Sequence, residues 1–502
     1  TSPARMDKAT SDISGMIGQY VHGNEPSHHV IYLYPQVGRP EKAAERIREV
    51  FDTQYHVGPE GLCGNDDCGQ MSAWYVFSAM GFYPFDPCGG EYVLGAPQVP
   101  QATLRLADGK TFTVVAKGLS KANKYVKSAT LNGRPVTDWK IRHADIVKGG
   151  ELVFEMAAVL PPVNAVVVQD APGYNSWPMI QAFGTNLVCA YSRDSRLPAD
   201  GHYIDPGSRD SYARVSADGG RTWSVERVVA ADPVVGEVNE GIGLDSTGAV
   251  LAWVRCWGAP ERRRHELYRT VDGVTFERLA VPRLDPMPMQ VTDIVRVPGL
   301  GLVSPWFAGS YAGGGNSWGV LVSGDDGLTW EQRMIEKGLA VKDWVTEPSL
   351  VSLGDGKLLI VGRCEQGLGP QFQVTSADGG RTWKKARTNI GDVHESTPSL
   401  VYDARTGLVA NYYYQRGARR LKRRVARAMD VFDNPTAWPE PEVLAEGFEP
   451  RNYDAGNVNV TRLHGRSDVC AWYTGTPSNA AVVVTSASVP QRAQPSAPRG
   501  VR

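Results

Sequence analysis

Ser216-Ala-Asp-Gly-Gly-Arg-Thr-Trp223 returns as Ser323-Gly-Asp-Asp-Gly-Leu-Thr-Trp330 and again as Ser376-Ala-Asp-Gly-Gly-Arg-Thr-Trp383. One pattern, Ser-x-Asp-x-Gly-x-Thr-Trp, covers all three, and a worn copy, Thr270-Val-Asp-Gly-Val-Thr-Phe276, falls between the first two. With Trp438 after the last, the aromatic positions 223, 276, 330, 383 and 438 step by 53, 54, 53 and 55 residues, the period of one propeller blade. The pattern suits a tight hairpin: Asp takes up backbone donors, Gly supplies positive φ, and Trp packs the turn against the blade. It is structural rather than catalytic. Inner-strand pairs recur at about 176, 239, 291, 346, 397 and 455, as in the run from Glu347 to Arg363 and in Thr397-Pro-Ser-Leu-Val. The spacing predicts an all-β, six-bladed propeller over 171–490, with 491–502 a disordered tail.

Upstream the periodicity changes. Thr103–Leu106, Thr111–Val115, Ala129–Leu131 and Glu151–Glu155 alternate with period two between Asp-Gly, Asn-Gly and Gly-Gly turns, the mark of a small β-rich cap. Before Pro84, Pro40 and an early acid open an amphipathic helix with Ile47, Val50 and Phe51 on one face. A second helix over Gln70–Met80 stops at Gly81, and a third is expected from Ser27 to about Val37. Three helices leave apolar faces that need partners. Residues 158–170, with Pro161 and Pro162 inside them, read as a linker.

The chain has 502 residues, 42% of them hydrophobic, and 53 basic against 54 acidic side chains. With a charge near zero, nothing global argues for a nucleic-acid or membrane partner, and no apolar run reaches the roughly 18 residues of a membrane span. Seven cysteines are too few for a disulfide scaffold. Cys63 and Cys68 bracket an acidic loop, either as a disulfide or as two thiols, and their spacing lacks the second pair that zinc needs.

Two polar motifs carry the chemistry of the first part: His22-Gly-Asn-Glu-Pro-Ser-His-His29 and Gly61-Leu-Cys-Gly-Asn-Asp-Asp-Cys-Gly-Gln-Met-Ser-Ala-Trp-Tyr75. In that order they resemble glycoside hydrolase family 92, the calcium-dependent exo-α-mannosidases, and the resemblance runs from about Gly18 to Met156. It implies that residues 1–157 are the C-terminal fragment of an (α/α)6 toroid with its β-rich cap, from a longer gene product that is secreted or periplasmic. Inverting hydrolysis needs an acid and a water-activating base with their carboxyls roughly 6.5–9.5 Å apart. The resemblance makes Asp67 the base, with Asp66 or Asn65 supporting it, and places the acid upstream of His22, in sequence this chain does not contain. It makes Asn24 and Glu25 ligands of calcium or contacts to the sugar, with His22 beside them. The plainer alternatives are an N-cap or solvated turn for Asp66 and Asp67, and packing histidines for His22, His28 and His29.

The repeated hairpins are similar to the Asp-boxes of sialidases. That resemblance implies an arginine triad, which pairs with a carboxylate in bidentate fashion, an Asp acid/base, and a Tyr nucleophile served by a Glu. Glu347 and Arg363 match the Glu and the second Arg, Tyr453 the nucleophile, and Asp205 or Asp210 the acid/base. Ser176 stands where the first Arg belongs, with Arg193 or Arg196 as substitutes from neighbouring loops. The third Arg falls within Arg416-Gly-Ala-Arg-Arg-Leu-Lys-Arg-Arg-Val-Ala-Arg427, with Arg420 the candidate. The same run alternatively reads as an anionic-glycan patch or a solvated outer hairpin.

Oligosaccharides or glycoprotein glycans are the expected partners, and nothing in the sequence sets the oligomeric state. Three functions are consistent with these residues: an exo-α-mannosidase in the complete parent, an exo-sialidase or related glycosidase carried by the propeller, and a non-catalytic glycan-binding propeller. Fold alone selects none of them.

Overall fold

The computed structural model of the protein describes residues 13–37, 39–158, 165–194, 207–365, 369–393, 396–416, 418–447, 455–465, 467–476 and 479–489. The chain divides into two compact units, Thr1–Leu160 and Pro161–Arg502.

In the first unit, helix α1 (Pro40–Thr53) starts on proline with Glu41 in its first turn and buries Ala43, Ala44, Ile47 and Val50. It packs on the strand Tyr125–Leu131, where Tyr125 donates to Glu45 at 3.1 Å. Helix α2 (Gln70–Met80) runs between Gly69 and Gly81, both left-handed, and buries Met71 and Trp74. The third helix expected from Ser27 does not form as one piece. Its span breaks into 3-10 turns at Glu25–Ser27 and Val30–Tyr32 and a single helical turn at Leu33–Gln36. Pro35 has no N–H to donate to the carbonyl of Ile31, and β-branched Val30 and Ile31 resist the helical χ1. The cap is a sheet in which Gly150–Ala157 lies between Thr111–Lys117 (parallel) and Tyr125–Leu131 (antiparallel). A further sheet, Phe82–Asp86, Glu91–Leu94 and Lys140–Arg142, follows α2 and was not evident from the sequence.

The second unit is all-β apart from short helical turns, and propeller-like. The first sheet is Gly173–Phe183, Asn186–Asp194, Arg209–Ser216 and Arg227–Ala230, and it runs on into the last through parallel pairing of Gly173 and Tyr174 with Asn479 and Ala480. The second is Gly236–Leu244, Val250–Trp257, Arg264–Thr270 and Glu277–Ala280. In the third, two short inner strands, Gln290–Val291 and Val295–Val297, precede Gly301–Ala308, Asn316–Ser323 and Glu331–Leu339. Val345–Gly354, Lys357–Cys364, Phe372–Ser376 and Lys384–Arg387 make the fourth, and Ser399–Asp403, Leu408–Gln415, Arg420–Arg427 and Glu442–Glu446 the fifth. The last sheet, Asn459–Leu463, Ser467–Thr476 and Asn479–Ser488, takes its outer strand, Val166–Gln169, from the start of the unit.

Inner strands of successive sheets are tied edge to edge. Gly243 bridges Ile294 in parallel, Leu350 N donates to Asp293, and Leu400 N donates to Ser349 Oγ. Val460 N donates to Ser399 Oγ, and Ile180 N donates to Asn459 Oδ1, which joins the last sheet to the first. Apolar clusters fill the spaces between neighbouring sheets, with Trp318 and Trp344 between the third and fourth and Trp253 and Trp306 between the second and third. Each such buried side chain contributes about 1.5–3 kcal/mol, so the core is distributed around the unit.

Candidate functional site

The two polar motifs of the first unit meet. Asp66 accepts from the Ser72 amide and hydroxyl, both at 2.9 Å, and its carbonyl takes the Gln70 amide at 2.7 Å. Asp66 is thus the structural cap of α2. Asp67, next in the chain, sits at φ 42, is exposed and interacts with the carboxyl of Glu25. The contact with Glu25 raises the pKa of Asp67, with desolvation adding to it, while the same contact lowers that of Glu25. Neighbouring carboxyls disfavour double ionisation, which is the sense of both shifts. Glu25 Oε1 is buried without an N–H or hydroxyl donor, and Asn24 beside it is exposed.

His22 does not reach this site. Fully buried, it bonds Tyr20 through Nδ1 at 2.8 Å and Tyr55 through Nε2 at 2.7 Å, with Trp74 packed edge-on. Neither ring nitrogen is left for a sugar hydroxyl. Burial, with His28 second, pushes its pKa down to about 3. His28 donates to the His22 carbonyl at 2.9 Å and is likewise a packing residue. Cys63 and Cys68 are free thiols, so the acidic loop carries no disulfide.

In the second unit each Ser-x-Asp hairpin is built alike. Ser216 donates to Asp218, Gly220 N to Ser216 Oγ, and the Thr222 amide and hydroxyl to Asp218 at 2.9 and 2.7 Å. The Thr222 donors hold the Asp218 carboxyl far below the usual range. Ser323 and Asp325, Ser376 and Asp378, and the worn Thr270 and Asp272 repeat the scheme. Trp438 falls, like the others, between the third and fourth strands of its sheet, but without the Ser-x-Asp turn. It is buried after a helical turn (Ala428–Asp433) and donates to Gln373 at 3.0 Å.

Starts of inner strands and ends of second strands lie at the opposite end of each sheet from the hairpins. Glu347, there, has φ 44, and Trp177 of the first sheet has φ 49. Both precede proline, and both fall where the pairing register slips, a bulge that re-aims side chains. Arg363, 8% exposed, donates one arm to Glu347 at 2.9 Å and the other to Glu365 at 2.8 Å. Ser176 accepts from Arg209 at 3.1 Å, and this guanidinium is enclosed by Tyr174 and Trp177, 5.0 and 4.7 Å from the ring centres. Arg193 pairs with Glu226 at 3.0 Å instead of filling the Ser176 position. Asp210 accepts from Tyr212 at 2.9 Å. Asp205, Arg196 and Tyr453 lie outside the described residues.

The Glycosyl hydrolase family 92 catalytic domain matches residues 3–158, and the BNR repeat-like domain matches residues 205–455. The chain belongs to the BNR repeat-like family, with a family 92 segment at its start. A protein of Arthroderma benhamiae called an uncharacterized secreted glycosidase is 35% identical over 133 residues, 26% of this chain and 17% of that protein. The family GH92 alpha-mannosidase of Bacteroides thetaiotaomicron is 42% identical over 30% of this chain and 20% of its own, with a TM-score of 0.29. A Hadza microbial sialidase is 17% identical over 63% of this chain and 66% of its own, with a TM-score of 0.51, a likeness of fold. The chain spans about a fifth of the length of its family 92 relatives.

Within the BNR domain, Arg420 opens the third strand opposite Gln415 and does not turn inward. Its side chain is 47% exposed and meets Glu446 on the outer strand at 3.4 Å. Arg416 is the inward residue: it is buried, donating to the Ala455 carbonyl at 3.1 Å and to Asn457 at 3.2 Å. The middle of the basic run is buried and paired, while Arg427 at its end is exposed. Lys422 and Arg424 are buried on Asp392, and Arg423 on Glu442, Tyr412 and the Ser488 carbonyl. A buried cation needs such pairing to stay charged.

Proposed function

We propose that the whole protein is a glycoside hydrolase of the exo-α-mannosidase type, inverting and calcium-dependent, joined to a glycan-binding six-bladed propeller. The observation that carries the first part is the Glu25 and Asp67 pair, presented by the two family 92 motifs. Asp67 is free of the helix cap that occupies Asp66, so it is the carboxyl able to take a proton from water. The contact lowers the pKa of Glu25 and raises that of Asp67, so Glu25 is the carboxylate of the pair and increases the proton affinity of Asp67.

The donors fit a hard cation: a carboxylate oxygen without a donor on Glu25 and an exposed amide on Asn24. Among the described residues no cluster of three or more His, Cys, Asp or Glu side chains forms a metal site by itself, so Asn24 and Glu25 would hold calcium with carbonyls, water and sugar hydroxyls. When bound, the ion orients vicinal hydroxyls and polarises the ring. No helix of the described residues is long and apolar enough to cross a membrane, and the name of the Arthroderma relative agrees with secretion.

The glycan-binding reading of the propeller rests on Ser176 and on Arg363 and Arg416, both already engaged. Hydrolysis of α-mannobiose by the complete protein, with and without a calcium chelator, tests the proposal. Turnover lost in Asp67→Asn and on chelation supports it, and undiminished turnover in either case refutes it.

A further inference from the structure

At the inner-strand end of the BNR unit each inward arginine is matched. Arg363 bridges Glu347 and Glu365. Arg255 meets Glu240 at 3.1 Å, and Glu240 also holds His265 at 2.9 Å. Arg209 lies 3.8 Å from Asp194, and Arg416 is engaged by Ala455 and Asn457. Three of these guanidiniums are paired with Asp194, Glu240, Glu347 and Glu365, and Arg416 is held by a carbonyl and an amide, so four carboxylates offset the four cations and little positive field remains to draw in an anion. Carboxylate recognition needs a guanidinium fork with both arms available, and here Glu365, 2% exposed and also hydrogen-bonded by Thr346, takes one arm of the central one.

We infer that Glu365 sets the charge selectivity of this site: by holding the second arm of Arg363 it makes the propeller accept uncharged sugars and turn away carboxylated ones. The inference rests on the glycan-binding reading above and names its ligand class. The groups facing Glu365 among the described residues are Arg363, Glu347, Thr346 and Tyr311. Burial raises its pKa, with Glu347 adding to this and Arg363 opposing, so acidification releases the arm.

The test titrates the whole chain with sialyllactose and with the methyl ester of its carboxylate, a pair alike except for charge. The wild type is expected to bind the ester at least as tightly as the acid. Glu365→Gln is expected to raise affinity for the acid about tenfold with the ester unchanged. In the wild type, affinity for the acid is expected to rise as the pH falls from about 7 to about 4.5, an arm that needs no variant to fold. A wild type that prefers the acid at neutral pH overturns the inference, as does an acid affinity that neither Glu365→Gln nor acidification increases. The Asp67-dependent mannobiose assay reads the mannosidase proposal separately.

Discussion

Arg209 donates to Ser176 Oγ at 3.1 Å from a fully buried position under Tyr174 and Trp177. An arginine therefore stands close to where the Asp-box resemblance expects one, yet on a different strand and sealed by aromatic rings. Its charge is balanced by Asp194, also buried. Removing one partner of a buried pair costs about 3–5 kcal/mol, since the other charge is left in low dielectric. Arg209→Ala should lower the unfolding free energy of the BNR unit, measured in guanidinium chloride, by that order. A change below about 0.5 kcal/mol, the ordinary range of surface substitutions, would show that water reaches the pair.

Asp66 and Asp67 are adjacent in sequence but separate in role, and kinetics distinguishes them. α-Mannosyl fluoride needs no proton on its leaving group, so its hydrolysis isolates the base. Asp67→Asn should slow it by about 10²–10⁴-fold, the usual worth of a positioned base. Asp66→Asn keeps an amide oxygen for the Ser72 donors, so its effect should appear mainly as a lower melting temperature. Equal losses of kcat in the two variants would contradict this division.

What was legible in the sequence was local. Ser216, Asp218 and Thr222 close their own turn within seven residues, so the repeat could be read directly from the chain. Arg416 and Arg420 could not be told apart that way. Only the hairpin register Gln415 to Arg420 decides which one ends the second strand. His22 owes its burial partly to Tyr55, thirty-three residues away, and Lys422 owes its neutralisation to Asp392, thirty residues upstream. Polar motifs show which groups are available, while long-range packing decides which of them face solvent.

His22 gives acid lability to the first unit. Its folded pKa, about 3, lies below the ordinary 6.5 of the unfolded chain. Its contribution is therefore complete above about pH 6.5 and is lost as pH falls toward 3, because the unfolded state binds the proton first. His22→Gln should flatten the fall in melting temperature of this unit across that window. A slope unchanged by the substitution would place the acid sensitivity elsewhere.

Glu237, at the start of the second sheet's inner strand, titrates in the opposite sense. It is 1% exposed, and Oε2 has no hydrogen-bond partner. Burial first, then the charges of Asp210 and Asp232, push its pKa up to about 8 from 4.5. The folded state holds the proton that the unfolded state releases. Stability is thus greatest below about pH 4.5, declines as the pH rises to about 8, and is flat above. The decline is on the order of a few kcal/mol, because each tenfold difference in proton affinity between the two states is worth about 1.4 kcal/mol. Glu237→Gln, which keeps the volume and removes the charge, should raise the melting temperature at pH 9 and leave it nearly unchanged at pH 4. The same gain at both pH values would show that Glu237 titrates alike in the folded and unfolded chain, and that its neighbours do not hold the proton on it.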